Sequence, residues 1–210
     1  MINDFIISKY TAWINSAEGV LVLGEGAAKS TEKVFKLPKG KVDIAPFGID
    51  TDFWTQSDAK GTEDFILSIG SDPGRDYETL LKAVSDYPLH IVTRLKPGNA
   101  SNFKNVTIKS DYNNTQLREL YRNCRFVVIP LKDISQPSGQ SAALQAMSCG
   151  KAVILTKTRG LWDTSIMQNN KNCLLVPPGN KEELHKAIKR LWNKPEDAIN
   201  IGKAARKTVE

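Results

Sequence analysis

The segment 136–150, QPSGQSAALQAMSCG, joins a short polar loop to a helix that begins with small and polar residues. Ser138 has a good N-cap side chain, and the amides of Gly139, Gln140 and Ser141 would then be first-turn donors without intrahelical acceptors. These donors and the positive end of the helix dipole favour an anion such as a phosphate. A capped helix without a ligand explains the same residues, so the segment alone does not decide between the two.

The helical spacing of this segment predicts which side chains could face a ligand. Residues four apart share a helix face, so Ser141 and Gln145 lie together, while Ala142, Ala146 and Met147 turn toward a sheet. The small alanines let the helix pack closely. From these residues alone, Gln145 is read as an exposed polar side chain on the same helix face as Ser141.

A second loop with ligand-binding chemistry lies at 68–81, SIGSDPGRDYETLL. Gly70 and Gly74 allow the backbone to approach a ligand closely, and Arg75 can neutralise phosphate oxygens. Asp76 is expected to cap the helix that follows. The spacing matches neither the dinucleotide fingerprint G-x-G-x-x-G nor a Walker loop, so the segment does not indicate an NAD or ATP site.

The remaining titratable residues offer little further chemistry. Lys157 and Arg159 follow an apolar strand and either face solvent or line the same anionic cleft. His90 begins a strand and His185 lies on an amphipathic helix, so both are predicted to be structural or surface residues. The sequence shows no Ser-His-Asp or Cys-His arrangement and no His/Asp set with metal-ligand spacing, so it assigns no catalytic residue and no metal site.

An alternation of short apolar runs and longer amphipathic segments connects these loops. Nearly all-apolar strands between helices are typical of a parallel sheet covered by helices on both faces. The sequence therefore predicts an α/β fold, a Rossmann-like doubly wound parallel sheet, with ligands at the carboxyl ends of the strands. The predicted strands are 65–70, 89–94, 105–110, 125–130, 151–156 and 172–178, and the predicted helices are 76–87, 114–124, 181–193 and the helix of segment 136–150.

The first forty residues follow a different pattern. A helix is predicted over 4–15, a strand over 19–24 and a second helix over 27–35, which the segment LPKG at 37–40 ends. These elements are too few to close a sheet of their own. The predicted strand therefore either joins the later sheet or belongs to a larger domain.

Composition argues against several classes of protein. No run is long enough to cross a bilayer, and residues 1–10 lack the basic and apolar regions of a signal peptide. Cys124, Cys149 and Cys173 lie in apolar contexts and are predicted to be reduced core thiols, which favours a cytoplasmic protein. The net charge of +6 suggests an anionic partner, but Lys and Arg are dispersed, so no nucleic acid is expected.

Four motifs in this order resemble those of glycosyltransferase family 4. KVDIAPFGIDTDFW is similar to the linker of the family, and ILSIGSDPGRDYETLLKAV to the first βα unit of its donor-binding domain. LQAMSCGKAVILT is similar to the most specific stretch of the family, and NCLLVPPGNKEELHKAI to a late strand and its helix. The four segments lie at 41–54, 66–84, 144–156 and 172–188, so the resemblance spans most of the chain.

The resemblance implies a GT-B architecture, in which two Rossmann-like domains face each other across a cleft. The C-terminal domain binds a nucleoside-diphosphate sugar without a metal or other cofactor, and the sugar is transferred with retention of configuration. The acceptor is a carbohydrate or a lipid-linked molecule, and a lipid-linked acceptor would bring the protein to the inner face of the membrane. Residues 1–46 then correspond to a remnant of the acceptor domain plus the linker, and residues 47–210 to the donor-binding domain without its final helix.

The resemblance also implies roles for individual residues. Arg75 takes the place of a basic residue that binds the donor diphosphate. Gln140, Ser141 and Ala142 correspond to the helix start whose amides approach the diphosphate and the sugar. The predicted donor site consists of these residues together with Gly70, Ser138 and Gly139.

Both carboxylates of the Glu-x7-Glu motif of the family are absent. The first position maps to Pro137 and the second to Gln145, whose amide can still hydrogen-bond a ribose hydroxyl. Two alternatives to a donor-binding transferase domain therefore stay open. One is a non-catalytic sugar-nucleotide-binding module or an inactive fragment. The other is a different GT-B enzyme, such as a sugar-nucleotide epimerase, which predicts further carboxylates and histidines at the cleft that the sequence does not show.

Overall fold

The computed structural model describes residues 4–57, 63–98 and 100–210, with side chains from Ile7 onward, so the first three residues of the N-terminal segment lie outside it. Helices and strands alternate along the chain, as the apolar runs predict. In chain order they are α1 (Asp4–Ser16), β1 (Val20–Val22), α2 (Glu25–Phe35), β2 (Val42–Ile44), β3 (Ile66–Ile69), α3 (Tyr77–Ala83), β4 (Leu89–Val92), β5 (Val106–Lys109), α4 (Asn114–Asn123), β6 (Phe126–Ile129), α5 (Gln140–Ser148), β7 (Val153–Thr156), β8 (Leu174–Val176), α6 (Lys181–Asn193) and α7 (Pro195–Val209).

Six of the strands form one parallel sheet in the order β5-β4-β3-β6-β7-β8. In the middle of the sheet, Ile66 on β3 pairs with Leu89 on one side and with Phe126 on the other. The strand order runs in opposite directions from β3 and from β6, so the loops after these two strands diverge and leave a crevice. The predicted α/β fold with a doubly wound parallel sheet is confirmed.

The apolar runs form strands because helices cover both faces of this sheet. On β6, Phe126 and Val128 belong to a core with α3 and α6, whereas Val127 and Ile129 belong to a core with α4 and α5. All four side chains are fully buried. Burying one such side chain contributes about 1.5–3 kcal/mol relative to exposure, so the alternation fixes the position of β6 between two helical layers.

The N-terminal strands form a separate sheet. Strands β1 and β2 pair only with each other, in parallel, with Val20 opposite Val42. The strand predicted at 19–24 therefore does not join the later sheet. Leu21 points to the opposite face from its neighbours on β1 and exposes 72% of its surface. Ile44 on β2 is also exposed, so one face of this two-stranded sheet is open to solvent.

Three arginines on α4 and α7 donate hydrogen bonds to the segment after β2, including Arg118, which donates to the Phe53 carbonyl at 3.3 Å. Arg206 on α7 donates to the carbonyls of Thr51 and Trp54 at 3.2 and 3.1 Å. Arg122 on α4 donates to the carbonyl of Thr55 at 2.9 Å. These bonds make the residues just after the predicted boundary at 46/47 part of the larger body.

Two helices differ from the sequence-based expectation. Helix α3 ends earlier than predicted, since Ser85 adopts a φ angle of 53° that an α-helix does not accommodate. No element is predicted after residue 193, but the structure has α7 there. Its start carries the expected signals, with Pro195 at the first position and Glu196 and Asp197 in the first turn.

The three cysteines are free and buried, as predicted. Burial raises the pKa of each thiol to about 12 for Cys124, Cys149 and Cys173. They are therefore protonated core side chains at neutral pH and have the low reactivity of buried thiols.

Candidate functional site

The crevice between the ends of β3 and β6 is an open groove of about 760 Å³. The loop after β3 and the loop before α5 form its walls, and Leu23 and Phe47 complete it from the N-terminal part and the linker. We call it the donor groove, after the ligand that the sequence analysis predicts for its residues. It brings together all the residues predicted for the donor diphosphate and sugar, which are Gly70, Arg75, Ser138, Gly139, Gln140, Ser141 and Ala142.

Arg75 lies almost entirely inside the protein, with 6% of its surface exposed. Its guanidinium passes between two glycines. A Cβ atom on Gly70 would lie 2.0 Å from Nε, and one on Gly139 would lie 3.2 Å from Nη1. Both glycines also have φ angles that other residues rarely adopt, 149° and 76°. Glycine is therefore required at both positions, for backbone conformation and for the space that Arg75 fills.

The positive charge of Arg75 is only partly compensated. Asp72 Oδ2 lies 2.9 Å from Nε, which makes an ion pair by distance. Neither Nε nor Nη1, however, has a hydrogen-bond partner of suitable geometry among the described residues. A buried donor without an acceptor costs about 1–3 kcal/mol, and more when it is charged. An anion in the groove that Arg75 lines would compensate the rest of its charge.

The N-terminus of α5 also lies in the donor groove. Gly139 is the N-cap residue, and the first helical hydrogen bond runs from the Ala143 N–H to the Gly139 carbonyl at 2.9 Å. The amides of Gln140, Ser141 and Ala142 precede this bond and have no acceptor inside the helix. Their N–H groups and the helix dipole add positive potential to the groove.

The prediction that Ser138 caps this helix is wrong. The helix begins one residue later, after Gly139, and has no side-chain cap. The Ser138 hydroxyl donates instead to Asp72 Oδ1 at 2.7 Å. A charged acceptor makes the stronger hydrogen bond, so Asp72 holds the hydroxyl away from the first turn. Because the Ser138 hydroxyl bonds to Asp72 and not to the helix, the first-turn amides of α5 stay free for a ligand.

The faces of α5 agree with the predicted spacing. Ala142, Ala146 and Met147 are buried and belong to the core on one side of the sheet. Ser141 is exposed. The close packing of the small side chains brings the start of α5 against the strand ends, and this proximity forms the groove.

Gln145 is half-buried and, in the described structure, is not among the residues that line the donor groove. Its Oε1 accepts a hydrogen bond from the Tyr121 hydroxyl at 3.1 Å. Tyr121 is fully buried, and burial raises its pKa well above the usual value, so the hydroxyl stays a donor. The ribose contact predicted for Gln145 stays a prediction.

Lys157 and Arg159 do not line the donor groove as the structure describes it. Arg159 Nε lies 3.0 Å from Asp133 Oδ2, and its side chain is 72% exposed. The Lys157 side chain is exposed as well. The sequence left open whether Lys157 and Arg159 face solvent or line the cleft, and in the structure both side chains are exposed to solvent.

A second groove of about 600 Å³ adjoins the first. The two grooves share Gly70, Ser71 and Arg94. The second groove lies at the ends of β4 and β5 and reaches the start of α4, with Tyr112 and Asn113 in its lining. A ligand longer than a diphosphate can therefore extend from one groove into the other.

His90 on β4 contacts Tyr112, which lines the second groove. The Tyr112 hydroxyl lies 3.2 Å from His90 Nε2, and the two rings meet edge to face. Burial and the charge of Lys109 lower the pKa of His90, while Glu63 opposes the shift. The imidazole is therefore neutral at pH 7, and in the tautomer with a bare Nε2 it accepts a hydrogen bond from the Tyr112 hydroxyl.

Several residues of the donor groove are not singled out by the sequence pattern. Leu23 follows β1, so the rule that sites form at strand ends could have found it. Gln140 is predicted for its amide, but its buried side chain also donates from Nε2 to the Leu23 carbonyl at 3.0 Å. Asp72 lies within the predicted loop, three residues before Arg75, and that spacing is the signal for their ion pair.

Two kinds of feature are absent from the part of the chain that the structure describes. Within residues 4–57, 63–98 and 100–210, no group of three or more His, Cys, Asp or Glu side chains could hold a metal ion. Over the same ranges, no helix has both the length and the apolar character needed to span a membrane.

Solved proteins share this fold. Sucrose-phosphate synthase from Thermosynechococcus elongatus gives a TM-score of 0.81 at 21% identity, over 99% of this chain and 57% of that one. Anabaena HepE, solved with UDP and glucose, gives 0.79 at 15% identity, over 99% of this chain and 62% of that one. A TarM variant from S. aureus, solved with fondaparinux, α-GlcNAc-glycerol and UDP, gives 0.78 at 18% identity, over 98% and 42%. The chain spans less than two thirds of each, and the likeness shows a shared fold.

Sequence comparison identifies the family. No curated protein sequence matches the chain. The family model described as "Glycosyl transferases group 1" matches residues 98–208, more than half of the 210 residues. The matched region includes α5 and the loop before it, which form one wall of the donor groove. The chain therefore belongs to the glycosyl transferases group 1 family.

Proposed function

We propose that residues 47–210 are the donor-binding domain of a glycosyltransferase of the family 4 type. The enzyme transfers a sugar from a nucleoside-diphosphate sugar with retention of configuration, without a metal or other cofactor. One observation carries the proposal: the buried Arg75, whose charge only Asp72 partly compensates, lines the same groove as the N-terminus of α5. Two sources of positive charge thus converge on one anion site.

In this proposal the donor diphosphate lies between α5 and Arg75. The amides of Gln140, Ser141 and Ala142 bind its oxygens, and the Arg75 guanidinium supplies a compensating positive charge. When the bond between the sugar and the diphosphate breaks, negative charge develops on the leaving phosphate oxygen. Donors already fixed at that position stabilise the charge, which is one of the tasks of a metal ion in other enzymes.

Retention is supported by the resemblance to family 4. In the mechanism inferred for that family, the phosphate of the donor assists the acceptor hydroxyl, so no pair of protein carboxylates is needed. Pro137 and Gln145, at the two motif positions, are compatible with such a reaction. The protein then contributes binding, orientation and charge stabilisation.

The nucleoside of the donor occupies the second groove, next to Tyr112 and Asn113. The shared residues Gly70, Ser71 and Arg94 support this placement, because a continuous ligand must pass them between the two grooves. HepE and TarM are both solved with UDP, which supports a nucleoside diphosphate as the common part of the ligand.

The acceptor binds across the cleft, on the domain to which residues 1–46 belong. The bare face of the β1–β2 sheet, with Leu21 72% exposed, supports further polypeptide there. The acceptor is a carbohydrate or a lipid-linked molecule, and the complex of TarM with fondaparinux and α-GlcNAc-glycerol supports the former. The enzyme works in the cytoplasm, and with a lipid-linked acceptor it works at the inner face of the membrane.

A non-catalytic sugar-nucleotide-binding module is the second candidate. Pro137 and Gln145 favour it, since neither supplies the carboxylate of the family motif. Sugar transfer by a polypeptide that joins this chain to a complete acceptor domain would exclude the module. Binding without transfer by the same polypeptide would favour it.

Calorimetric titration of residues 1–210 with UDP, GDP and ADP sugars tests donor binding. We expect one class to bind and Arg75→Gln to weaken it about 10- to 150-fold, the equivalent of one hydrogen bond to a charged group. Arg159→Gln is the matched control, because it removes an exposed arginine outside the groove. Absence of binding to the folded wild-type chain, or equal effects of the two substitutions, would contradict the proposal.

A further inference from the structure

Asp72 is the one acidic residue in the described lining of the donor groove, beside the cations Arg75 and Arg94. A carboxylate next to a diphosphate site repels the ligand and weakens its binding. The neighbouring segment 134–142, ISQPSGQSA, carries no charge at all. The position of Asp72 therefore calls for a function other than anion binding.

The contacts of Asp72 leave part of its carboxylate open. Oδ1 accepts hydrogen bonds from the Ser138 hydroxyl at 2.7 Å and from the Gly74 N–H at 3.1 Å. Oδ2 lies 2.9 Å from Arg75 Nε, but the N–H is not directed at it. The side chain is 40% exposed. A carboxylate has about four acceptor positions. The bonds from Ser138 and Gly74 use the two on Oδ1, so acceptor capacity on Oδ2 is left for a ligand.

The surroundings of Asp72 place it at the end of the groove that is away from the nucleoside. Its partner Ser138 and the nearby Ile134 line the donor groove and not the second groove, in the part of the chain that the structure describes. A Cβ atom on Gly74 would lie 2.9 Å from Asp72 Oδ1 and 2.6 Å from Ile134 Cδ1, so the loops before α3 and α5 meet here. A donor with its nucleoside in the second groove and its diphosphate at α5 would extend its sugar toward these loops.

We propose that Asp72 Oδ2 accepts a hydrogen bond from a hydroxyl of the sugar that is transferred. The proposal rests on the donor-binding function above and adds the residue that recognises the sugar. A sugar hydroxyl is a donor, and a carboxylate is a strong acceptor with no donor of its own. Asp72 thus favours a hydroxyl-bearing sugar on the diphosphate over the diphosphate alone.

The test compares the affinity of the best-binding nucleotide sugar with that of its parent nucleoside diphosphate. Asp72→Asn keeps the shape and removes the charge. We expect the variant to bind the nucleotide sugar about tenfold or more weakly, and the parent diphosphate equally well or more tightly. Asp72→Glu keeps the charge and is expected to change the ratio of the two affinities less, and it replaces Asp72→Asn if that variant does not fold.

Asp133→Asn is the matched control, because it removes a carboxylate of similar exposure, 44%, that does not line the donor groove as the structure describes it. It is expected to leave the ratio of the two affinities unchanged. If Asp72→Asn weakened both ligands by the same factor, or neither, Asp72 would be a support for Arg75 or for the loops, and the inference would be overturned. If the folded wild-type chain bound no nucleotide sugar, the proposed function itself would fail, and this inference with it.

Discussion

Replacing Gly139 by alanine tests whether Arg75 packs so closely against the start of α5 that no side chain fits at position 139. The φ angle of Gly139 is 76°. A left-handed conformation costs a non-glycine residue about 1–2 kcal/mol. The added Cβ would also lie 2.7 Å from Ile129 Cγ2 and 3.2 Å from Arg75 Nη1. Crowding of this kind in a packed core costs about 1–3 kcal/mol. We therefore expect Gly139→Ala to lower the free energy of unfolding by about 2–5 kcal/mol.

Gly179→Ala is the matched control for backbone strain. Gly179 has a similar φ angle of 67°, but a Cβ atom there would meet no atom of the described chain within 4 Å. The control should lose only the strain component, about 1–2 kcal/mol. Urea unfolding of both variants, analysed by linear extrapolation, gives the two losses directly. The difference of about 1–3 kcal/mol measures the crowding around Arg75 and Ile129.

The same pair of variants separates stability from binding. Gly139→Ala pushes against Arg75 Nη1 and is expected to weaken nucleotide-sugar binding, whereas Gly179 lies outside the donor groove as described, so its variant should bind normally. Equal unfolding free energies for the two variants, or wild-type affinity in Gly139→Ala, would refute the reasoning that Arg75 fills the space between the glycines.

Two further predictions concern Gln145 and His90. Gln145→Ala leaves the buried Tyr121 hydroxyl without its acceptor, so it should lower the free energy of unfolding by about 1–3 kcal/mol and weaken donor binding, while Gln145→Glu should preserve both. Calorimetry that finds unchanged donor affinity in Gln145→Ala would exclude the ribose contact. The pKa of His90 is lowered in the folded state, so its contribution to stability is complete above about pH 6.5 and is lost as the pH falls through the folded pKa. Urea unfolding at about pH 7.5 and about pH 5.5 should show this loss in the wild type and less of it in His90→Gln, and equal losses in both would contradict the assignment.

The strands and helices of the larger domain are readable from the sequence because their side chains face two buried layers. Four consecutive apolar residues at 126–129 leave no solvent-facing side. The run is short and is bounded by Arg125 and Pro130, so it indicates a strand buried between helices. Helix α7 was not predicted from the sequence, although Pro195 marks its start. Its mixed charged and small residues give a weaker periodic pattern than α6, which has a buried leucine at each end of its apolar face.

In the donor groove, side-chain contacts between distant segments could not be predicted from the local sequence. Ser138 has the right chemistry for an N-cap, but Asp72, sixty-six residues earlier in the chain, takes its hydroxyl. Sequence spacing cannot rank a local acceptor against one that arrives from another loop. The same limit applies to Arg159, whose partner Asp133 lies twenty-six residues away in the chain.

The sequence by itself determined the fold class, the loops at the strand ends and the positions of Arg75 and α5, because these follow from periodicity, glycine content and helix-start chemistry near each residue. Only the tertiary structure decided that Gly70 and Gly139 enclose Arg75, that Gln145 accepts from Tyr121, and that Asp72 joins the two loops of the groove. These pairings join residues distant in the chain, and their energies depend on burial and geometry that exist only after the sheet has formed.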